Sequence, residues 1–529
     1  MMHDPVASPS ALARSIGFDR ALHANCADIL WQNLTRNPDK AALIGPGGTW
    51  TYAALIAEAG RWGNAFAAAG LARHDRIAFF LDDTPALAAA FFGAVRAGFV
   101  PVLLNIQTRA DLLRYYLQDS GARLAVVEAD LSAVFDAACQ DTQASRVISV
   151  NGQAAPFESA EAFLEGHGDT CPRADTGPED MAFWMYSSGS TGRPKGIVHL
   201  HHDMAYTQAA FGAHVVRLRA DDICFSVPKV YFAYGFGNAF TFPFSVGATT
   251  LLMPGQPEPQ TILDLIEIHR ATVFFGLPTL YTALARAEGV AHRDLSSIRQ
   301  SMSAAEILSE DIYDAWKALV GHGPTEGLGS TEMLHIYLSN TLSDHRHGAA
   351  GAVVPGYEVK LLTPDGRAAA PGAHGVMHVR GDSSAPYYWQ RPDKTAQTMR
   401  GDWINTGDRF LERDGYYYFQ GRDDDLVKVA GQWVWPMEVE RCLNEHADVH
   451  EAAVLAVELP DRRMALKAVV SLTREADTAE LRDFVKARLT PYKSPRLFTV
   501  IDDLPKTGTG KIDRQLLLDT YGKAQPHDL

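Results

Sequence analysis

Tyr186-Ser-Ser-Gly-Ser-Thr-Gly-Arg-Pro-Lys195-Gly196 is the stretch from which the chain is best read. Seven of its eleven residues are Ser, Thr or Gly, and one Lys lies near its end. Apolar residues 181–185 precede it and Ile197-Val198-His199 follows, so the pattern predicts strand, loop, strand. A loop with so little side-chain bulk lets backbone N–H groups approach an anion closely. Hydroxyls and a Lys add donors and charge, so the expected guest is a polyphosphate. The loop is not a Walker A sequence, which needs Gly, four residues, then Gly-Lys-Ser/Thr. Counting from Gly189, Pro194 stands where the second Gly belongs, and Lys195 is followed by Gly196. A Ser/Gly linker would share the composition but not the flanking apolar segments.

The 529 residues suffice for several folding units and a sizeable core. Lys and Arg number 48 against 63 Asp and Glu, a net charge of −15. An acidic chain is a poor general binder of nucleic acid or anionic membrane, so a polyphosphate must be held by local charge and backbone amides. Cys26, Cys139, Cys171, Cys224 and Cys442 are scattered without a C-x-x-C. They suggest neither a disulfide framework nor a zinc site and fit a reducing cytoplasm. No leader of basic then apolar residues is read, and no apolar run reaches spanning length, so a cytoplasmic protein without a membrane span is expected.

Residues 1–24 read as an arm. From 25 to about 130, helical and strand patterns alternate: a helix from Tyr52 with Thr51 as N-cap, a strand from Arg76, a small-residue helix over 85–97, strands at 100–104 and 124–128. That rhythm predicts a mostly parallel α/β sheet. After the loop, His199-Leu-His201-His202-Asp203 admits a metal reading, but a strand end opening the helix 204–214 is preferred. Lys229-Val-Tyr-Phe-Ala-Tyr234-Gly-Phe-Gly237-Asn is dense in aromatics. Phe240, Phe242 and Phe244 read as core, and the Gly235/Gly237 break as a helix starting against something bulky, such as a ligand, with Tyr234 as a pocket wall. Gly329-Ser-Thr-Glu332 sets a carboxylate beside a hydroxyl, as a hard cation such as Mg²⁺ requires, although a capping box would look the same. From Gly348, short alternating runs predict an antiparallel unit closing the large domain. Residues 421–431 read as a charged hinge, and 425–529 as a small α+β domain. The latter carries a second glycine-rich loop ending in Lys511, which again fails Walker A because Ile512 follows.

Five stretches in order, Ser187 to Gly196, Gly329 to Glu332, Thr406-Gly-Asp408, Gly421-Arg422 through Gly431, and Pro505 to Lys511, resemble the adenylate-forming superfamily of acyl-CoA synthetases, peptide-synthetase adenylation domains and luciferases. The resemblance spans roughly residues 25–515; Gly329-Ser replaces the more usual Tyr-Gly. Residues 329–336, Leu338-Ser-Asn340, 196–199 and 229–238 are similar to benzoate–CoA ligases. The implied architecture is a large α/β N-terminal domain (25–423) of parallel sheets with helices and a distorted β-barrel subdomain, then a small mobile α+β C-terminal domain (424–529) hinged at Asp424.

The resemblance implies ATP and coenzyme A as substrates, Mg²⁺, and two half-reactions, adenylation of an aryl acid and then thioester formation. Ser187, Ser188, Gly189, Ser190, Thr191, Gly192 and Lys195 would hold phosphates, with Glu332 and Thr191 on the metal and Thr331 beside them. Ala304, Ala305, Glu306, Glu326 and Gly327 would frame adenine, and Asp408 and Arg422 would hold ribose. Lys511 would bridge carboxylate and α-phosphate, relieving anion–anion repulsion. Rotation about Asp424 would then present the loop near Lys428 and Gly431 to CoA. Ala233, Tyr234, Gly329, His335 and Ile336 would form a short flat acid pocket; His335 would otherwise be a core histidine. Benzoate is the expected acid, with 4-hydroxybenzoate or 2-aminobenzoate as alternatives. Loading of a carrier protein is a third reading, disfavoured because no carrier motif follows Lys511, and a non-catalytic nucleotide module is a fourth, opposed by Lys511, Glu332 and Asp408 together. Candidate partners are a second copy of the chain and a lysine acetyltransferase/deacetylase acting on Lys511.

Overall fold

Buried β-runs such as 77–80, Val100–Leu103 and Leu124–Glu128 generate a seven-stranded sheet. Its order is Glu158–Ser159, Arg146–Val150, Leu124–Glu128, Arg76–Phe80, Val100–Leu103, Met181–Ser187, Lys195–Leu200. All pairings are parallel except the last, an antiparallel edge hairpin. A nine-stranded sheet holds Thr325–Gly329, Gln300–Ala304, Val273–Gly276, Ile223–Ser226, Thr249–Leu251 and Ala41–Gly45 as its parallel centre, with antiparallel strands at both edges. The computed structural model describes residues 10–187, 193–304, 308–423, 427–429, 432–459, 463–474, 476–506 and 512–522.

Small residues let helices approach. In Tyr52–Ala68 and Pro85–Arg96, a Cβ on Gly93 would stand 2.4 Å from the Ala59 carbonyl, and one on Gly63 2.9 Å from the Gly93 carbonyl. Thr51 caps the first helix through the Ala54 N–H, as expected. The helix expected over 204–214 is α-helical only over Asp203–Thr207 and continues as a π-helix, Gln208–Val216; Gly237–Thr241 is a second π segment. Phe240, Phe242 and Phe244 are fully buried core. The bulk facing the glycine break is the protein itself: a Cβ on Gly235 would meet the Lys229 carbonyl at 2.1 Å, and one on Gly237 the His335 ring at 2.4 Å. The break is therefore set by self-packing rather than by a ligand.

The chain has two compact units, residues 1–359 with 378–405, and residues 360–377 with 406–529. The division falls before residues 421–431; Asp424 lies outside the described residues. In the second unit, residues 406–413 pair antiparallel with Tyr416–Arg422. Val449–Glu458, Met464–Leu472 and Leu497–Val500 form a three-stranded sheet. Val439, Leu443, Leu481 and Val485 from helices Pro436–Asn444 and Thr478–Arg488 are buried in its core. The fold is thus a large α/β N-terminal domain of mixed sheets followed by an α+β C-terminal domain. Among the described residues no helix is long and apolar enough to cross a membrane.

Candidate active site

The stretch 186–196 lies in the edge hairpin, with Ser187 paired to Lys195 and Tyr186 to Gly196. Ser188, Gly189, Ser190, Thr191 and Gly192 lie outside the described residues. Both flanks are tied to the helix Ala110–Ser120. Tyr115 Oη donates to the Pro194 carbonyl at 2.7 Å, and Tyr186 Oη to Asp119 Oδ2 at 2.9 Å. Arg391 reaches Asp119 Oδ1 at 2.7 Å and Tyr115 Oη at 2.9 Å, and Trp389 Nε1 donates to the Asp119 carbonyl at 3.0 Å. The Asp119 side chain is only 5% exposed, so Arg391 and Tyr186 compensate its desolvation. Burial, then Asp119, pushes the Tyr186 phenol well up, keeping it a donor. None of these partners was legible as part of the site; they come from 67 to 276 residues away.

Thr331 and Glu332 sit in a single 3₁₀ turn, Thr331–Met333, following the strand Thr325–Gly329. The capping-box alternative fails: Ser330 makes no side-chain cap, and among the described residues its buried hydroxyl has no partner. Three contacts hold the turn. His199 Nε2 donates to the Thr331 carbonyl at 2.8 Å, the Ala385 N–H to the Glu332 carbonyl at 2.7 Å, and Tyr388 Oη to Glu332 Oε1 at 2.7 Å. His199 Nδ1 faces Asp203 Oδ2 at 2.8 Å. Both nitrogens of His199 thus face oxygen atoms of neighbouring residues. His202 likewise faces the Pro178 and Asp382 carbonyls at 2.9 and 2.8 Å, while His201 Nδ1 accepts from the Cys26 N–H at 3.2 Å and burial lowers its pKa to about 4. These histidines serve structure, agreeing with the preferred reading of a strand end at Leu200 and a helix from Asp203.

Ala304 and Gly327 are register partners at the ends of adjacent parallel strands, as are Ser303 and Glu326. Ala305 and Glu306 lie outside the described residues. Glu326 is buried and already engaged, accepting from the Leu308 N–H at 3.1 Å and facing His345 Nε2 at 3.2 Å. The residues expected to line an acid pocket converge. The rings of Tyr234 and His335 are 5.6 Å apart, Gly329 pairs with Ile336, and Ala233 opens the helix Ala233–Phe236 beside Tyr234. His335 is buried, and burial holds its pKa down to about 3, so it is neutral; Nε2 lies 3.3 Å from Asn238 Oδ1. Among the described residues, Tyr234 Oη, Asn238 Nδ2 and His335 Nδ1 are buried without hydrogen-bond partners.

In the second unit, Asp408 and Arg422 are cross-strand partners, with Arg422 Nη1 3.1 Å from Asp408 Oδ1. The Thr406 hydroxyl donates to the Met377 carbonyl at 2.9 Å and accepts from the Asp408 N–H at 3.1 Å. Gly407 has φ +72°, and a Cβ there would meet Arg422 Nη2 at 2.9 Å, so the Thr-Gly-Asp turn needs its glycine. Lys428 lies in the strand Val427–Val429; Gly431 and Lys511 lie outside the described residues. A backbone bridge pairs Lys506 with Ile512.

The chain is similar to known proteins over most of its length. The benzoate–CoA ligase of Thauera aromatica is 38% identical over 496 residues, covering 92% of this chain and 94% of its own length. The 4-hydroxybenzoate–CoA/benzoate–CoA ligase of Rhodopseudomonas palustris is 38% identical over 491 residues, 90% of each chain. The crystal structure of the anthranilate CoA ligase AuaEII with anthranoyl-AMP superposes with a TM-score of 0.88 at 33% identity, covering 94% of this chain and 97% of that one. The AMP-binding enzyme C-terminal domain matches residues 438–511, and the AMP-binding enzyme family matches residues 30–389, so the chain belongs to the AMP-binding enzyme family.

Proposed function

We propose that this AMP-forming acid–CoA ligase activates benzoate as benzoyl-adenylate and passes the acyl group to coenzyme A. The observation that carries the acid is the convergence of Tyr234, His335, Gly329 and Ile336, two rings and a β-branched side chain around a position with no Cβ. A flat slot of that kind accepts an aromatic ring and stops a long acyl chain. In the first half-reaction a carboxylate oxygen attacks the α-phosphorus of ATP and pyrophosphate leaves; in the second the CoA thiolate attacks the acyl carbonyl and AMP leaves. Asp408 and Arg422 are assigned to ribose, and Lys511 to the meeting of carboxylate and α-phosphate.

Mg²⁺ suits the Glu332 turn. Among the described residues no cation lies within ion-pair distance of Glu332, and the Ser330 hydroxyl beside it is unpartnered. One carboxylate plus substrate phosphates is an ordinary Mg²⁺ donor set, with Thr191 as the further candidate. When bound, the ion neutralises developing phosphate charge. The chain's own contribution is to orient Glu332 and to anchor the flanks of the loop.

A second reading, 4-hydroxybenzoate or 2-aminobenzoate as the acid, is favoured by the unpartnered polar atoms of Tyr234, Asn238 and His335, which a ring substituent could engage. AMP release with ATP, CoA and a panel of substituted benzoates tests both. Benzoate giving the highest kcat/KM supports the first reading, and a hydroxy or amino acid the second. Pyrophosphate exchange without any CoA thioester overturns both in favour of carrier loading.

A further inference from the structure

We infer that Tyr388 is a positioning residue for adenylation: its phenol fixes the Glu332 carboxylate in the orientation that meets the cation–phosphate guest, while its ring carries Lys195 of the phosphate loop. The inference rests on Glu332 being the metal carboxylate. Tyr388 belongs to a segment locked at several points to the outgoing strand of the phosphate hairpin. Its backbone bridges Ile197, and the Trp389 N–H donates to the Gly196 carbonyl at 2.8 Å. The ring is 2% exposed and packs with Ile197 and Ala385. From that fixed base Oη donates to Glu332 Oε1 at 2.7 Å, and Lys195 Nζ lies 4.2 Å from the ring centroid. The same segment holds the Glu332 main chain through the Ala385 N–H at 2.7 Å.

The chemistry of the donor is the argument. A Lys or Arg on Glu332 would orient the carboxylate and also neutralise it, leaving little charge for a divalent ion. A phenol orients one oxygen and leaves the charge in place. The ring face meanwhile attracts the ammonium of Lys195. One side chain therefore sets the anion for the metal through its hydroxyl and the cation for the phosphates through its ring face. A packing role alone would be served as well by Phe.

Tyr388→Phe in the full chain keeps the packing and the ring face and removes only the hydroxyl. Four quantities are compared with wild type and with Glu332→Gln. They are Mn²⁺·ATP affinity by electron paramagnetic resonance, acid-dependent pyrophosphate exchange, thioester formation from supplied benzoyl-adenylate, and the unfolding midpoint. The expected result is ~10-fold to ~100-fold slower exchange and about 10-fold weaker Mn²⁺·ATP binding. Thioester formation should stay within about 2-fold and the unfolding midpoint should hold. Wild-type Mn²⁺·ATP affinity in Tyr388→Phe, with Glu332→Gln impaired, overturns the inference. Equal loss of both half-reactions with a lowered midpoint also overturns it, in favour of a structural role. Wild-type behaviour of Glu332→Gln instead overturns the metal reading on which the inference rests. Should Tyr388→Phe fold poorly, Tyr388 replaced by a fluorotyrosine keeps the fold, and unchanged Mn²⁺·ATP affinity across such a series overturns the proposal equally.

Discussion

Replacing Asp83 by Asn should change how stability depends on pH, in a direction the structure fixes. Asp83 is 3% exposed beyond the strand Arg76–Phe80, where Oδ1 accepts from the Val230 N–H at 3.1 Å. Its neighbour Asp82 pairs with Lys229 Nζ at 2.7 Å, so the two acids hold the segment that leads into Tyr234. Burial above all pushes the Asp83 carboxyl up to about 7; Asp82 adds to the rise, and Lys229 and the Val230 N–H oppose it. Because the folded-state pKa exceeds the unfolded one, the favourable contribution is full below about pH 4 and is lost as pH climbs to 7. A rise from 3.8 to about 7 is roughly 3 pH units, worth about 4 kcal/mol at ~1.36 kcal/mol each. Asn keeps the oxygen acceptor and never ionises. Asp83→Asn should therefore match wild type near pH 4 and become more stable by ~2–4 kcal/mol at pH 8, while its benzoate KM stays put. Urea unfolding followed by tryptophan fluorescence at several pH values measures the difference directly. A difference that stays flat between pH 4 and 8, or that favours wild type as pH rises, refutes the reasoning.

Removing the His199 ring by His199→Ala takes one buried partner from the Asp203 carboxylate, which keeps the Leu200 N–H, and the side-chain donor from the Thr331 carbonyl, which should cost roughly 1–3 kcal/mol in denaturant unfolding and slow adenylation. Gly329→Ala places a Cβ 2.3 Å from the His335 carbonyl, so strand and pocket must shift; benzoate KM should rise about 10-fold or more while ATP affinity measured alone changes little. Lys511→Ala should abolish acid-dependent pyrophosphate exchange yet spare thioester formation from supplied benzoyl-adenylate, and equal loss of both would contradict the bridging role.

Legibility of this chain in its sequence followed the range of the contacts involved. The edge hairpin at Ser187 and Lys195 was readable because strand, loop and strand are contiguous. The βα rhythm of the first 130 residues was readable because each apolar run is buried in one sheet. The helix after the hairpin was placed correctly but mistyped beyond Thr207, since α and π turns draw on the same apolar composition. The Gly235 and Gly237 signal was seen but assigned to a ligand, because a sequence cannot say that the bulk meeting a glycine is the chain's own Lys229 carbonyl or His335 ring.

The residues that do the orienting were the ones sequence reading passed over. Tyr388, Trp389 and Arg391 stand in one short run before the helix Pro392–Thr398; Tyr388 reaches the Glu332 turn, Trp389 the edge hairpin at Gly196, and Arg391 the Tyr115 and Asp119 side chains that brace that hairpin. Nothing in Tyr-Trp-Gln-Arg-Pro carries reactive chemistry, so a search for nucleophiles, acids or anion loops ignores it. Its physical role is different in kind. A glycine-rich loop gains access to an anion by giving up side chains, and thereby gives up the packing that would hold it still. Rigidity must then come from outside the loop, from groups large enough to be buried and polar at one end. Tyr, Trp and Arg meet that description, each burying an apolar body while presenting a donor. The bulk around residues 186–196 is the complement of the bulk missing within them, and an aromatic run with Arg far along the chain is where such a loop's support can be sought.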